Sequence, residues 1–119
     1  MRPVLTKSCL DTEHWEKIPL DTHILLTHGP PAQILDSTFQ KIGGVGCADL
    51  WTRVTSVRPL LHVFGHIHES YGVRKVQWPS GDATTFVNAS SVDLRYQPVH
   101  PPIVVDLPPI AAERNRTVE

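Results

Sequence analysis

The chain has 119 residues, 40% of them apolar, and 11 basic against 12 acidic side chains give a formal net charge of -1. That length suits one domain, and the balanced charge provides no basic surface for nucleic acid or an anionic membrane. No run approaches the roughly eighteen apolar residues of a membrane span, and the start "MRPVLTKSCLDTEHW" lacks the apolar centre of a secretory signal, so a cytoplasmic protein is expected. Cys9 and Cys47 lie far apart without finger spacing, which favours neither a disulfide framework nor a structural zinc site and makes a reducing compartment the default.

In chain order, residues 11–17 read as a short helical turn capped by Asp11, and Pro19 stops it before an apolar strand at 23–27 that ends at His28. A Gly/Pro loop follows. Cys47, Leu50, Trp51, Val54 and Val57 then recur at helical spacing until Arg58-Pro59 breaks the helix. "LLHVF" is a continuous apolar run of the kind found in strands buried on both faces, ending at Gly65. Residues 73–78 and 84–87 flank "PSGDA", a hairpin signal, and 92–97 and 103–107 are expected as two further strands, so the part after "GHIH" is expected to be mostly antiparallel β. From Ala111 the polar tail has nothing to bury.

Four of the seven histidines fall in "LLTHGPP" and "HVFGHIHES". His66 and His68, two apart, would project to one side of an extended backbone, and Gly65 permits a sharp exit from the strand. His28 also follows an apolar strand directly, and ligands of open α/β sheets gather beyond the carboxyl ends of the strands. The alternative is a set of surface loop histidines. His62, inside an apolar run, reads as a hydrogen-bonded core residue. Glu69 either orients a neighbouring histidine or is an exposed loop acid, and Asn88, at a strand end, either reaches the same cleft or caps its own turn. "GGVGCADL" ahead of the helix is an incomplete phosphate-loop pattern and more often a simple turn.

"LLTHGPP", "LHVFGHIHESYG" and "FVNASSVDLRYQPVHPPIVVDLP", in that order, resemble the C-terminal half of the calcineurin-like metallophosphoesterases, in particular the metallophosphoesterase-domain-containing phosphodiesterase subgroup. The resemblance implies the second half of an α/β/β/α sandwich over 15–108, with an N-terminal segment at 1–14 and a polar tail at 109–119. It implies two divalent metal ions (Mn, Fe, Zn or Mg), His28 and His66 binding one and His68 the other. Glu69 and Asn88 would stand behind them or toward substrate. The implied substrate is a small phosphodiester or cyclic-nucleotide-like molecule.

The family also uses Asp-x-His, Gly-Asp and Gly-Asn-His motifs, which have no match here in the right context. Asp21-Thr22-His23 fits the first as text but precedes its strand, and Gly81-Asp82 sits in the hairpin turn. Two closely spaced dications need a bridging anion that imidazoles do not supply. The chain therefore reads as half of a hydrolase, inactive alone, with no catalytic residue assigned and an open face expected to self-associate. An enzyme completed elsewhere, a metal-binding or scaffolding pseudoenzyme and a single-metal three-His hydrolase stay open as alternatives.

Overall fold

The computed structural model describes residues 12–109. The expected cap Asp11 and the tail from Ala111 lie outside them. Seven short elements follow one another: α1 (Thr12–Trp15), β1 (Ile24–Leu26), α2 (Ala48–Val57), β2 (Leu61–Phe64), a 3₁₀ turn (His68–Ser70), β3 (Gly72–Gln77) and β4 (Ala83–Asn88). The strands form one sheet in the order β1-β2-β4-β3.

α2 forms where the apolar spacing predicts it. The Cys47 sulfur accepts the Leu50 N–H at 3.3 Å, which satisfies one of the unpaired amides at the helix start. Arg58, at φ 50°, closes the other end by donating its N–H to the Val54 carbonyl, and Pro59 prevents continuation. On its buried face Leu50 and Val54 join Leu25, Phe64 and Phe86 of the sheet in the core, and Val57 is buried as well. The expectation that the cysteines stand apart is corrected at Cys47, which is disulfide-bonded; Cys9 lies outside the described residues.

β1 and β2 are parallel, with Leu25 opposite His62, and β4 pairs parallel with β2, with Phe86 opposite His62. Only β3 and β4 are antiparallel, joined through the predicted turn. The expected mostly antiparallel second half is thus a mixed sheet, because β4 returns from the hairpin to pair with β2. Residues 92–97 and 103–107 form no strand, which corrects both expectations. In the first, the Asp93 carboxylate accepts the Arg95 N–H at 2.8 Å and the Gln97 N–H at 3.0 Å, and Tyr96 takes φ 61°. Such local side-chain bonds curl the backbone away from a ladder. In the second, exposure alternates residue by residue as in a strand, but no strand pairs with it among the described residues.

Candidate metal centre

Parallel pairing decides where the histidines meet. Because β1 and β2 run the same way, the chain leaves both at one edge of the sheet, through Thr27-His28-Gly29 and through Gly65-His66. Two hydrogen bonds extend the ladder past the strand ends: Thr27 N–H to the Val63 carbonyl at 3.0 Å and Gly65 N–H to the His28 carbonyl at 2.9 Å. The His28 and His66 rings consequently lie with centroids 4.7 Å apart, tilted by 41°, and both residues are exposed. His23, in the text match Asp21-Thr22-His23, stands at the opposite end of β1, where its carbonyl accepts the Leu60 and Leu61 N–H groups.

His66 has φ 71°, a left-handed conformation that costs a residue with a Cβ and that clusters at functional sites when the surroundings enforce it. Desolvation, then repulsion from the neighbouring His28 and His68, holds its imidazole below the usual histidine pKa. This backbone also corrects the expectation of an extended His-x-His. His68 opens the 3₁₀ turn instead, with Nδ1 3.2 Å from the Asp93 carbonyl and its ring edge-on to Tyr96. A carbonyl only accepts, so Nδ1 carries the proton and Nε2 keeps a free lone pair, the form in which imidazole ligates a metal.

Two adjacent imidazoles suit two positions on one divalent ion, and nitrogen donors favour ions such as zinc. Among the described residues, no group of three or more His, Cys, Asp or Glu is disposed to hold a metal. The donor set therefore fits part of a coordination shell.

Glu69 does not reach a histidine; its Oε2 accepts the Phe39 N–H at 3.3 Å and ties down the loop before α2. Asn88 is fully buried. Its Nδ2 donates to the Ile67 carbonyl at 2.9 Å and to the Leu35 carbonyl at 3.2 Å, while its Oδ1 accepts the Ser90 N–H and hydroxyl. It thus clamps the residue between His66 and His68 and closes its own turn as well. The glycine-rich loop uses its amides internally: the buried Asp36 accepts from Gln33 and Gly46 at 2.8 Å each, and Gly43 donates to Ser37. Asp36 and Asp93 had no sequence signal beyond being acids in loops. Beside His68 opens a cavity of about 510 Å³, with Phe39, Leu94, Arg95 and the stacked pair Tyr71 and His100 in its wall.

Comparison with known proteins places the sequence beside metallophosphoesterase-domain relatives. No family model matches the chain. Metallophosphoesterase domain-containing protein 1 of Homo sapiens is 52% identical over 97 residues, 81% of this chain and 28% of that protein. UPF0046 protein K07C11.7 of Caenorhabditis elegans is 38% identical over 96 residues, covering 81% of this chain and 31% of its own length. A 70-residue match at 50% identity to the probable rhamnogalacturonate lyase C of Emericella nidulans covers 57% of this chain and 6% of that protein. The chain belongs to the metallophosphoesterase-domain family. It spans between a quarter and a third of the length of these metallophosphoesterase-domain and UPF0046 relatives, 28% and 31% respectively.

Proposed function

We propose that the chain carries the histidine side of a divalent-metal phosphoesterase site of phosphodiesterase type. His28 and His66 would hold one ion, and His68 would face its neighbour. The observation that supports this most is the apposition of the His28 and His66 rings, 4.7 Å apart at two parallel strand ends in a metallophosphoesterase-domain chain. An ion held by His28 and His66 would supply Lewis acidity for phosphoester hydrolysis. The chain's own residues orient the ligands: Asp93 fixes the His68 tautomer through its carbonyl, and Asn88 fixes the turn between His66 and His68. The open cavity beside His68 is the place for the organic part of a small phosphodiester.

Charge sets the limit. Glu69 accepts the Phe39 N–H and Asp93 closes its own turn, and among the described residues neither joins the histidines in a group of three or more metal donors. The same observation favours a second reading, a metal-binding or scaffolding role without turnover. Steady-state hydrolysis of a bis-aryl phosphate in excess manganese separates the two. The 119-residue chain should show only background, and a fusion to a segment bearing the Asp-x-His, Gly-Asp and Gly-Asn-His motifs should turn over and lose activity in His66→Ala. A fusion active but indifferent to His66→Ala would refute the site. Turnover by the chain alone would refute the need for the carboxylates.

A further inference from the structure

Neither metal ligation nor ordinary packing explains His62. It is fully buried on the core face of β2, opposite Leu25 and Phe86, where an apolar side chain would avoid the cost of desolvating imidazole. Its ring is held edge-on to Phe64 and tilted against Phe86, with centroids 5.1 and 5.6 Å away. Its Nε2 lies 2.9 Å from the Thr27 hydroxyl, which in turn lies 2.8 Å from the Gly29 carbonyl.

The direction of this chain of bonds follows from counting protons. The Gly29 carbonyl only accepts, so the single proton of the Thr27 hydroxyl goes to it. Nε2 of His62 must then be the donor, and Nδ1 carries no proton. Consistently, Nδ1 is buried without a hydrogen-bond partner. A bare lone pair is the cheaper orphan, since an unpaired buried N–H is the rarer defect in folded proteins.

We infer that His62 is a positioning residue for the His28–His66 pair, acting through Thr27 and Gly29. Thr27 and Gly29 flank His28 on either side, so fixing both leaves its backbone little freedom. Gly29 also underlies the other ring: a Cβ built on it would stand 3.9 Å from the His66 Cδ2. One buried imidazole thereby sets the spacing of two exposed ones. Asn88 plays the corresponding part for the turn after His66, from the next strand across. The metal part of this inference rests on the proposed reading of His28 and His66; the hydrogen-bonded relay does not.

The test uses the full chain with cobalt(II) as the probe, and Thr27→Val, Thr27→Ser and His28→Ala as variants. Long-range proton–nitrogen NMR of the metal-free wild type should show His62 protonated at Nε2. Thr27→Val, which keeps the shape but removes the hydroxyl, should shift the His28 and His66 ring resonances and weaken cobalt binding by about tenfold, the scale of losing an outer partner of a ligand. Thr27→Ser should restore both. Protonation at Nδ1 in the wild type overturns the relay, and this result stands even if Thr27→Val does not fold. Cobalt binding lost in His28→Ala but unchanged in Thr27→Val overturns the positioning role. If His28→Ala leaves cobalt binding intact, the metal reading fails instead. The ring shifts of metal-free Thr27→Val then decide the relay: movement supports it, and unmoved rings overturn it.

Discussion

The ends of β1 and β2 present His28 and His66, and the segment after β4 supports the His68 ring, but the supports are of different kinds. At the strand ends, buried polar groups pin the loops: His62 through Thr27, and Asn88 through Ile67. In residues 91–109 most side chains are exposed, and the turn is held by the Asp93 carboxylate on the amides of Arg95 and Gln97 together with the backbone bonds from Asp93 N–H to the Gln97 carbonyl and from Tyr96 N–H to the Asp93 carbonyl. Burial makes a polar contact costly to lose, because the abandoned partner stays desolvated; at the surface, water replaces it. His28 and His66 therefore stand on a rigid frame, and His68 leans on a replaceable turn. If this contrast is right, perturbing the first region changes global stability, and perturbing the second changes chiefly the behaviour of one ring.

The largest expected effect is that of acid on the buried region. Burial pushes His62 from 6.5 down to about 3. Between those values the unfolded chain takes up a proton that the folded chain refuses, so stability falls as the pH drops through that window. His66, lowered in the same direction, adds to the slope. From about pH 7 to about pH 4 the His62 contribution reaches about 3 kcal/mol as an upper figure. Urea unfolding across this range should show the loss in wild type and a much flatter profile in His62→Gln, which keeps an N–H for Thr27 but does not titrate. Equal slopes in the two proteins would mean that His62 is not kept neutral by the fold.

A smaller effect tests the other lock. Asn88→Ala removes four hydrogen bonds from a fully buried side chain; the Leu35 carbonyl and the Ser90 N–H and hydroxyl lose their Asn88 partner, and the Ile67 carbonyl keeps only the Ser70 N–H. A loss of about 2–3 kcal/mol in urea unfolding is expected, with faster amide exchange at residues 65–68. A loss under about half a kcal/mol would erase the distinction between the two regions.

The same contrast explains what was legible beforehand. α2 could be read because its signals are local, helical spacing and a stop at Arg58-Pro59; that Cys47 caps the helix and does not belong to it emerged only in the structure. The hairpin and the two histidine-terminated strands were legible for the same reason. The parallel return of β4 onto β2 was not, since a strand's partner is chosen by the whole sheet and only the apolar run itself is visible in sequence. The positive φ of His66 defeated the extended reading of "GHIH", because neighbours enforce it, the Gly65–Ile67 bond among them. Residues 92–97 carried a strand-like pattern, yet one aspartate overrode it. The role of His62 was half visible: its burial followed from the apolar run, but its bond to Thr27 joins residues 35 apart.

The smallest effect concerns that aspartate and sharpens the comparison most. Asp93 is exposed to solvent at its carboxylate, and the Gln97 and then the Arg95 N–H groups hold its pKa below the usual carboxylate value. Stability linked to it is present above the unfolded carboxylate range and fades as acid protonates the group. Asp93→Ala should therefore barely move the urea midpoint at neutral pH, as for most surface changes. It should nevertheless loosen the turn that presents the Asp93 carbonyl to His68 Nδ1, so that the His68 ring alone samples both tautomers while the His28 and His66 ring resonances stay in place. Proton–nitrogen NMR of the three rings, wild type against Asp93→Ala, reads this directly. If all three rings change together, the two regions form one cooperative unit, and the contrast between a rigid frame and a replaceable turn is wrong. If only His68 changes, its position is adjustable independently of the pair at the strand ends.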